Sequence, residues 1–360
     1  MSWKYVKLGD IISVEKGDYI TKKDANVGPY PVILGGREPA YFINKFNHTG
    51  KAIVISRSGA SAGYVSKWNE PIFITDGFLI EPKLFVDYDF VYYSLKNNEA
   101  LLQSMQKGAA IPHVTPTLIC SAEIALPPLE TQQRIASILS AYDDLIDNNR
   151  RQIKLLEEAA QRLYKEWFVD LRFPGHENVK VVDGVPEGWR VGTLSEIAEF
   201  KRGKTITKAQ VVKGDVPVVA GGLEPAYYHD KPNTTAPVIT ISGSGANAGF
   251  TRMYLENIFA SDCSFVDIKG TQYLYFIFCY LQAHNVELTA LQKGSAQPHV
   301  YAKDINSMKL TVPDAEILQQ FCVYAGKFFD LIGKRERQKK FLSEARDRLL
   351  PKLISGEIEV

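Results

Sequence analysis

The sequence predicts an α+β protein: two duplicated mixed α/β domains and two long helices that pair as an antiparallel coiled coil. Three observations predict it. A repeat at a constant offset of 186 residues spans the chain, short β-branched runs bounded by turn residues fill the first part of each copy, and a heptad stripe fills the second.

The repeat carries position 28 onto 214: GPYPVILGGREPAYF from Gly28 to Phe42 matches GDVPVVAGGLEPAYY from Gly214 to Tyr228 at nine of fifteen positions. The same offset of 186 places Trp3 on Trp189, Leu8 on Leu194, Gly17 on Gly203 and Ile53–Ala60 on Ile239–Ala246 without a gap. It also places Lys107-Gly108 on Lys293-Gly294, Pro112-His113-Val114 on Pro298-His299-Val300, and Asp144-Leu145-Ile146 on Asp330-Leu331-Ile332. A unit this long, present twice, is a duplicated domain with its connecting helix rather than a solenoid repeat.

Within each copy, Ala52–Ser56 and Pro71–Thr75, with their counterparts Val238–Ser242 and Asn257–Ser261, read as strands of a turn-rich sheet. Phe90–Gln106 and Tyr273–Gln292 have the three-and-four apolar spacing of a helix. After Leu126-Pro127-Pro128, a helix start signal, no Gly or Pro occurs between Glu130 and Phe168, which predicts one long helix. Its residues Ile135, Leu139, Tyr142, Ile146, Asn149, Ile153, Leu156, Ala160, Leu163 and Trp167 alternate spacings of four and three, a coiled-coil seam. At ~1.5 Å per residue such a helix is on the order of 55 to 60 Å long, a candidate spacer. Asn149 is the polar member, read either as a solvated gap or as a buried register-fixing residue. The second copy keeps Phe321, Ala325, Phe328, Ile332, Leu342, Leu349 and Leu353 but has Arg335, Lys339 and Arg346 in its stripe. Two such stripes in one chain predict intramolecular pairing, with the globular domains at opposite ends.

Composition narrows the function classes. With 45% hydrophobic and 23% charged residues the 360-residue chain is globular and large enough for two cores. It has no signal-like N-terminus and no apolar run of membrane-spanning length, so a soluble cytoplasmic protein with no membrane partner is expected. Cys120, Cys263, Cys279 and Cys322 lie far apart, without metal or disulfide spacing, and are expected to be buried thiols; no metal and no cofactor is implied. A net charge of +1 speaks against bulk coating of nucleic acid but allows contacts through local loops.

At this point the chain resembles the specificity subunits of type I restriction-modification systems. The resemblance rests on the connector Leu126-Pro127-Pro128-Leu129-Glu130-Thr131-Gln132-Gln133-Arg134-Ile135, on Glu166-Trp167-Phe168-Val169-Asp170, on the domain opening Gly184-Val185-Pro186-Glu187-Gly188-Trp189, and on the ending Leu349–Ile358. It covers the whole chain, although the second connector departs from the pattern at Asp314–Leu318. The resemblance implies target-recognition domains at residues 1–125 and 184–312 and helical spacers at 126–173 and 313–360. It implies double-stranded DNA as ligand, each domain reading one half of a split target, the helices setting the gap, and modification (methyltransferase) and restriction subunits as partners that do the chemistry.

The Gly/Ser loops Ser56–Gly63 and Ser242–Gly249 follow strands yet lack the GK[ST] ending or three-glycine spacing of a nucleotide cradle. They read either as tight turns or as DNA-facing loops, in which Arg57 reaches guanine or phosphate and Ser58 or Ser244 donates to phosphate. Lys107 with His113, and Lys293 with His299, lie in loops before the last strand-like run of each domain; they read as phosphate contacts or as structural residues. Positions that differ between the copies are the candidates for base reading: Arg37 against Leu223, Arg57 against Gly243, Ser61 against Asn247. The basic run Lys334–Lys340 reads as a solvated helix face, with spacer phosphates as the alternative.

No catalytic residue is expected. An adenine methyltransferase needs a [DNS]PP[YF] signature, which Leu126-Pro127-Pro128-Leu129 does not supply, and no carboxylate cluster suggests a metal-dependent nuclease. The competing readings are a structural coiled-coil adaptor, which leaves the duplicated domains unexplained, and the DNA-recognition subunit of a related modification system without restriction.

Overall fold

A computed structural model describes residues 3–21, 23, 26–106, 112–294 and 297–360. The chain packs as two units, Met1–Asn148 with Lys339–Val360, and Asn149–Gln338. Each combines one α+β domain with parts of both long helices.

In the first unit four antiparallel strands lie in the order Ile12–Lys16, Gly77–Pro82, Ala52–Ser56, Val65–Trp68. The inner strand Ala52–Ser56 is buried along its whole length. Side chains alternate across a strand, so Ile53 and Ile55 enter the main core with Phe78, Phe90 and Tyr93, while Ala52 and Val54 face a smaller cluster with Ile33, Ile72 and Ile74. Both faces are therefore covered, which is why this strand reads as an unbroken apolar run. A second sheet orders Phe42–Ile43, Tyr30–Ile33 and Phe73–Ile74, and Lys4–Lys7 pairs antiparallel with Glu123–Leu126.

The second unit repeats this plan. Its four-stranded sheet runs Lys201–Arg202, Cys263–Asp267, Val238–Ser242, Thr251–Tyr254; its three-stranded sheet runs Tyr227–His229, Val216–Val219, Phe259–Ala260. Arg190–Thr193 closes on Lys309–Val312, as the first copy's N-terminal strand does.

Two local expectations are revised. The runs Pro71–Thr75 and Asn257–Ser261 keep only Phe73–Ile74 and Phe259–Ala260 as strand. Asparagine side chains bond the last residue of each short strand: Asn47 Nδ2 donates to the Ile74 carbonyl at 2.8 Å and its Oδ1 accepts from the Ile74 N–H at 2.8 Å. Asn233 does the same to Ala260, at 2.9 and 2.7 Å. The helical segments Phe90–Gln106 and Tyr273–Gln292 each break once, into Tyr88–Asn97 with Glu99–Ser104 and Leu274–Ala283 with Asn285–Ala290. At each break a side chain bonds the carbonyl four residues earlier, Asn98 Nδ2 to Ser94 at 2.8 Å and His284 Nδ1 to Tyr280 at 2.9 Å, and the backbone leaves the helical region.

The first long helix runs Leu129–Tyr164 and continues as one π turn, Lys165–Val169; the second runs Ala315–Ser355. All ten residues of the first seam are buried or half-buried, including Asn149, which is 2% exposed and not solvated. In the first unit Ile135, Ala136 and Leu139 share a core with Leu350, Leu353 and Ile354. In the second, Tyr164 and Trp167 pack edge-on against Phe321, with ring centroids 6.3 and 5.8 Å apart. In each unit one helix thus meets the other in the opposite sense. Lys334, Arg337 and Lys340 of the basic run are exposed.

The four cysteines are free thiols; Cys263 and Cys279 are buried, whereas Cys120 and Cys322 are only half-buried. Burial pushes the Cys263 thiol up to about 12 and the Cys322 thiol up to about 11. No helix among the described residues is long and apolar enough to cross a membrane.

Candidate nucleic-acid interface

The Gly/Ser loop of the first domain leaves the buried strand at Ser56 and returns at Tyr64. Its neck closes through Ser56 N to the Tyr64 carbonyl at 2.9 Å and Gly63 N to the Ser56 carbonyl at 2.8 Å. Gly59 and Gly63 sit at φ +84° and +85°, the left-handed region that disfavours a side chain. Three other segments converge on the loop. Pro112–Val114 lies alongside it, with Gly59 N donating to the Pro112 carbonyl at 3.0 Å and Val114 N to the Arg57 carbonyl at 2.9 Å. The Gly35-Gly36 turn approaches so closely that a Cβ on Gly35 would stand 2.1 Å from the Ser58 carbonyl oxygen. Asp76, in the link between Phe73–Ile74 and Gly77–Pro82, accepts from the Ser58 hydroxyl on Oδ2 and pairs through Oδ1 with Arg57 Nε at 2.9 Å.

The second domain builds the same cluster. Gly245 N donates to the Pro298 carbonyl at 3.0 Å, Val300 N to the Gly243 carbonyl at 3.0 Å, and Ser244 Oγ to Asp262 Oδ2 at 2.5 Å. A Cβ on Gly221 would stand 2.8 Å from the Ser244 carbonyl oxygen. Beside Gly243 opens a cleft of about 260 Å³, lined among others by Arg202, Asp262, His299, Tyr301 and Lys303.

The sequence-derived candidates fall into this cluster unevenly. Arg57, Ser58 and His113 come together, since Ser58 and His113 form an isolated antiparallel bridge; Ser244 and His299 match them. His113 is exposed, and the half-buried His299 stacks on Tyr301 with centroids 6.0 Å apart. Lys293 bridges His299 through backbone bonds of 2.9 and 2.8 Å while its Nζ holds both Asp304 carboxylate oxygens at 2.8 Å. Arg37 is exposed, its guanidinium 5.4 Å from the centroid of Tyr64 at the loop's end. Ser61 and Asn247 are half-buried in the loops, where their carbonyls accept from Tyr64 N and Phe250 N at 2.9 Å. Lys107 lies outside the described residues.

A hydroxyl has one proton to donate. Ser58 and Ser244 direct theirs at the aspartates, so in this conformation they offer a ligand acceptor lone pairs only. Arg57 commits Nε and leaves its outer guanidinium nitrogens without a protein partner among the described residues.

Sequence reasoning missed the residues that tie the cluster together. Asp76 and Asp262, Asn47 and Asn233, and Gln106 and Gln292 are each related by the offset of 186. The glutamine side chains donate to the Ala62 and Ala248 carbonyls at 2.6 and 2.8 Å. Identity between the copies was the signal that marks them.

A profile of the family described as type I restriction modification DNA specificity domain matches residues 1–158 and 186–330. The chain is 28% identical to the type I restriction enzyme MjaIX specificity subunit of Methanocaldococcus jannaschii, over 86% of this chain and 78% of that one. It is 25% identical to the MjaVIII specificity subunit of the same organism, over 99% and 93% of the two chains. The crystal structure of a type I restriction-modification S subunit from M. genitalium superposes with a TM-score of 0.64 at 20% identity, covering 98% of this chain and 96% of that one, and so shares the fold. With matched segments covering most of both copies, this chain belongs to the type I restriction-modification DNA specificity family.

Proposed function

We propose that the chain is the non-catalytic, DNA-reading subunit of a type I restriction-modification complex, each domain reading one half of a bipartite duplex target. One observation carries the reading: the same four-segment cluster is built twice from matching struts, while the residues at its rim, Arg57 against Gly243 and Arg37 against Leu223, differ. A shared scaffold with unequal rims suits two half-sites of different sequence, because base edges are read by side chains and the scaffold serves position. The long helices dock the modification and restriction subunits and set the length of the unread gap; their seams give a continuous helical connection for that role. DNA contact by local loops accords with a chain of net charge +1.

The test is reconstitution. Modification subunits supplied with this chain methylate a defined split sequence, and without it they methylate none. The purified chain alone turns over neither S-adenosylmethionine nor ATP and leaves DNA intact. Turnover by the contaminant-free chain, or specific methylation in its absence, contradicts the reading.

A further inference from the structure

The two clusters differ in one chemical respect that bears on which bases they accept. Asp76 and Asp262 occupy equivalent places, and each takes the hydroxyl proton of the serine above it. In the first domain the remaining oxygen of Asp76 is covered by Arg57, so the cluster presents to its surroundings the outer N–H groups of a guanidinium. In the second domain the equivalent of Arg57 is Gly243, and Oδ1 of Asp262 has no hydrogen-bond partner among the described residues. It stands beside a cleft whose walls include Arg202 and Lys303, cations suited to a flanking phosphate.

The glycine is not there for the backbone. Gly243 is absent from the positions of positive φ, and a Cβ on it would meet nothing nearer than the Asp262 carbonyl oxygen at 3.3 Å. A Cβ here would stand tight against that carbonyl, which must give by a few tenths of an ångström, yet the equivalent position of the first domain carries Arg57; the missing side chain keeps the carboxylate uncovered.

We infer that position 57 in the first domain and its equivalent 243 in the second switch the reading group from donor to acceptor. Arg57 donates to a guanine, whose O6 and N7 are both acceptors, and Asp262 accepts from an exocyclic amino group, the N4 of cytosine being the usual partner of a carboxylate. This rests on the two-half-site reading above and deepens it. Restoring an arginine at 243 covers the carboxylate and replaces an acceptor by a donor.

The test uses the assembled modification complex carrying Gly243→Arg or Arg57→Gly, with methylated sites mapped by sequencing. Gly243→Arg is expected to change the requirement at one base pair of one half-site, toward guanine, and to leave the other half-site as in the wild type. Arg57→Gly uncovers Asp76 and is expected to shift one guanine requirement in the opposite half-site toward cytosine, lowering the preference for guanine there by about tenfold to a hundredfold. If both variants methylate the wild-type sites with undiminished discrimination, the switch is refuted while the two-half-site reading stands. A wild-type complex whose methylation is not split into two half-sites defeats the underlying reading instead. Should Gly243→Arg fail to fold, Arg57→Gly, which only removes atoms at a partly exposed position, decides the matter alone.

Discussion

Asn47 and Asn233 each do the work of a missing strand neighbour, accepting from the N–H and donating to the carbonyl of one residue, Ile74 or Ala260, at distances between 2.7 and 2.9 Å. Removing such a side chain leaves the backbone N–H of Ile74 or Ala260 to find water, while the carbonyl keeps one donor, Asp18 N or Lys204 N at 3.0 Å. We expect Asn47→Ala to destabilise the first unit by about 1–3 kcal/mol, read as a fall in unfolding midpoint, with the second unit's amide exchange unchanged. Asp76→Ala is expected to cost a similar ~1–3 kcal/mol, since two charge-assisted bonds go but Arg57 is partly exposed and its share is screened. Equal protection factors around Ser58 in wild type and Asp76→Ala would show that the carboxylate holds nothing. These residues were visible in the sequence only as identities between the copies. An isolated Asn or Asp in a loop has no pattern of its own, and which peptide it satisfies depends on a chain segment tens of residues away. The Gly35-Gly36 pair was conspicuous, but that it exists to let Ser58 approach follows only from three dimensions.

Among the elements, the long helices were the most legible, because a seam of ten residues carries its own period and needs no partner to be recognised. What the pattern left open was Arg346 in the second stripe. Burial is the largest single influence and lowers its pKa, but the carboxylates of Asp143, 2.5 Å from its Nη1, and of Asp347 together raise it; the Asp143 carboxylate also accepts from the Tyr93 hydroxyl at 2.6 Å. Burial and Asp143 together hold that phenol well above its usual range, so it remains a donor. The offset of 186 relates Tyr93 to Cys279, Asp143 to Phe329 and Ala160 to Arg346, so the equivalent site of the second unit is Cys279, Phe329 and Ala160. There Cys279 Sγ lies 3.9 Å from the Ala160 carbonyl and Phe329 packs against Tyr275 and Phe278. One site is a polar triad and its copy is apolar, so a charge that looked like a defect in the seam is matched by its surroundings. Arg346→Ala is expected to lower the first unit's stability by about 1–3 kcal/mol, leaving a half-buried carboxylate with one donor fewer. A double-mutant cycle with Asp143→Ala checks the coupling, and strictly additive losses would mean that the pair contributes nothing jointly.

For the molecule as a whole, duplication is the organising fact: two units, each with its own sheets, core and loop cluster, and each taking part of both helices. The fold class was readable because duplication doubles every signal, whereas the loop clusters were not, since they assemble from four separated segments. The ends of the first domain meet in one sheet, where Tyr5 is registered opposite Ala125, so a foreign domain can replace Trp3–Ala125 without stretching the connection. The measurement that bears most directly on the account is therefore the methylation pattern of a complex in which Trp3–Ala125 has been exchanged for the corresponding domain of a relative with a different target. The account predicts that one half-site changes to the donor's sequence while the other half-site stays as in the wild type. A change in both half-sites, or in neither with activity retained, would contradict the assignment of one half-site to each domain.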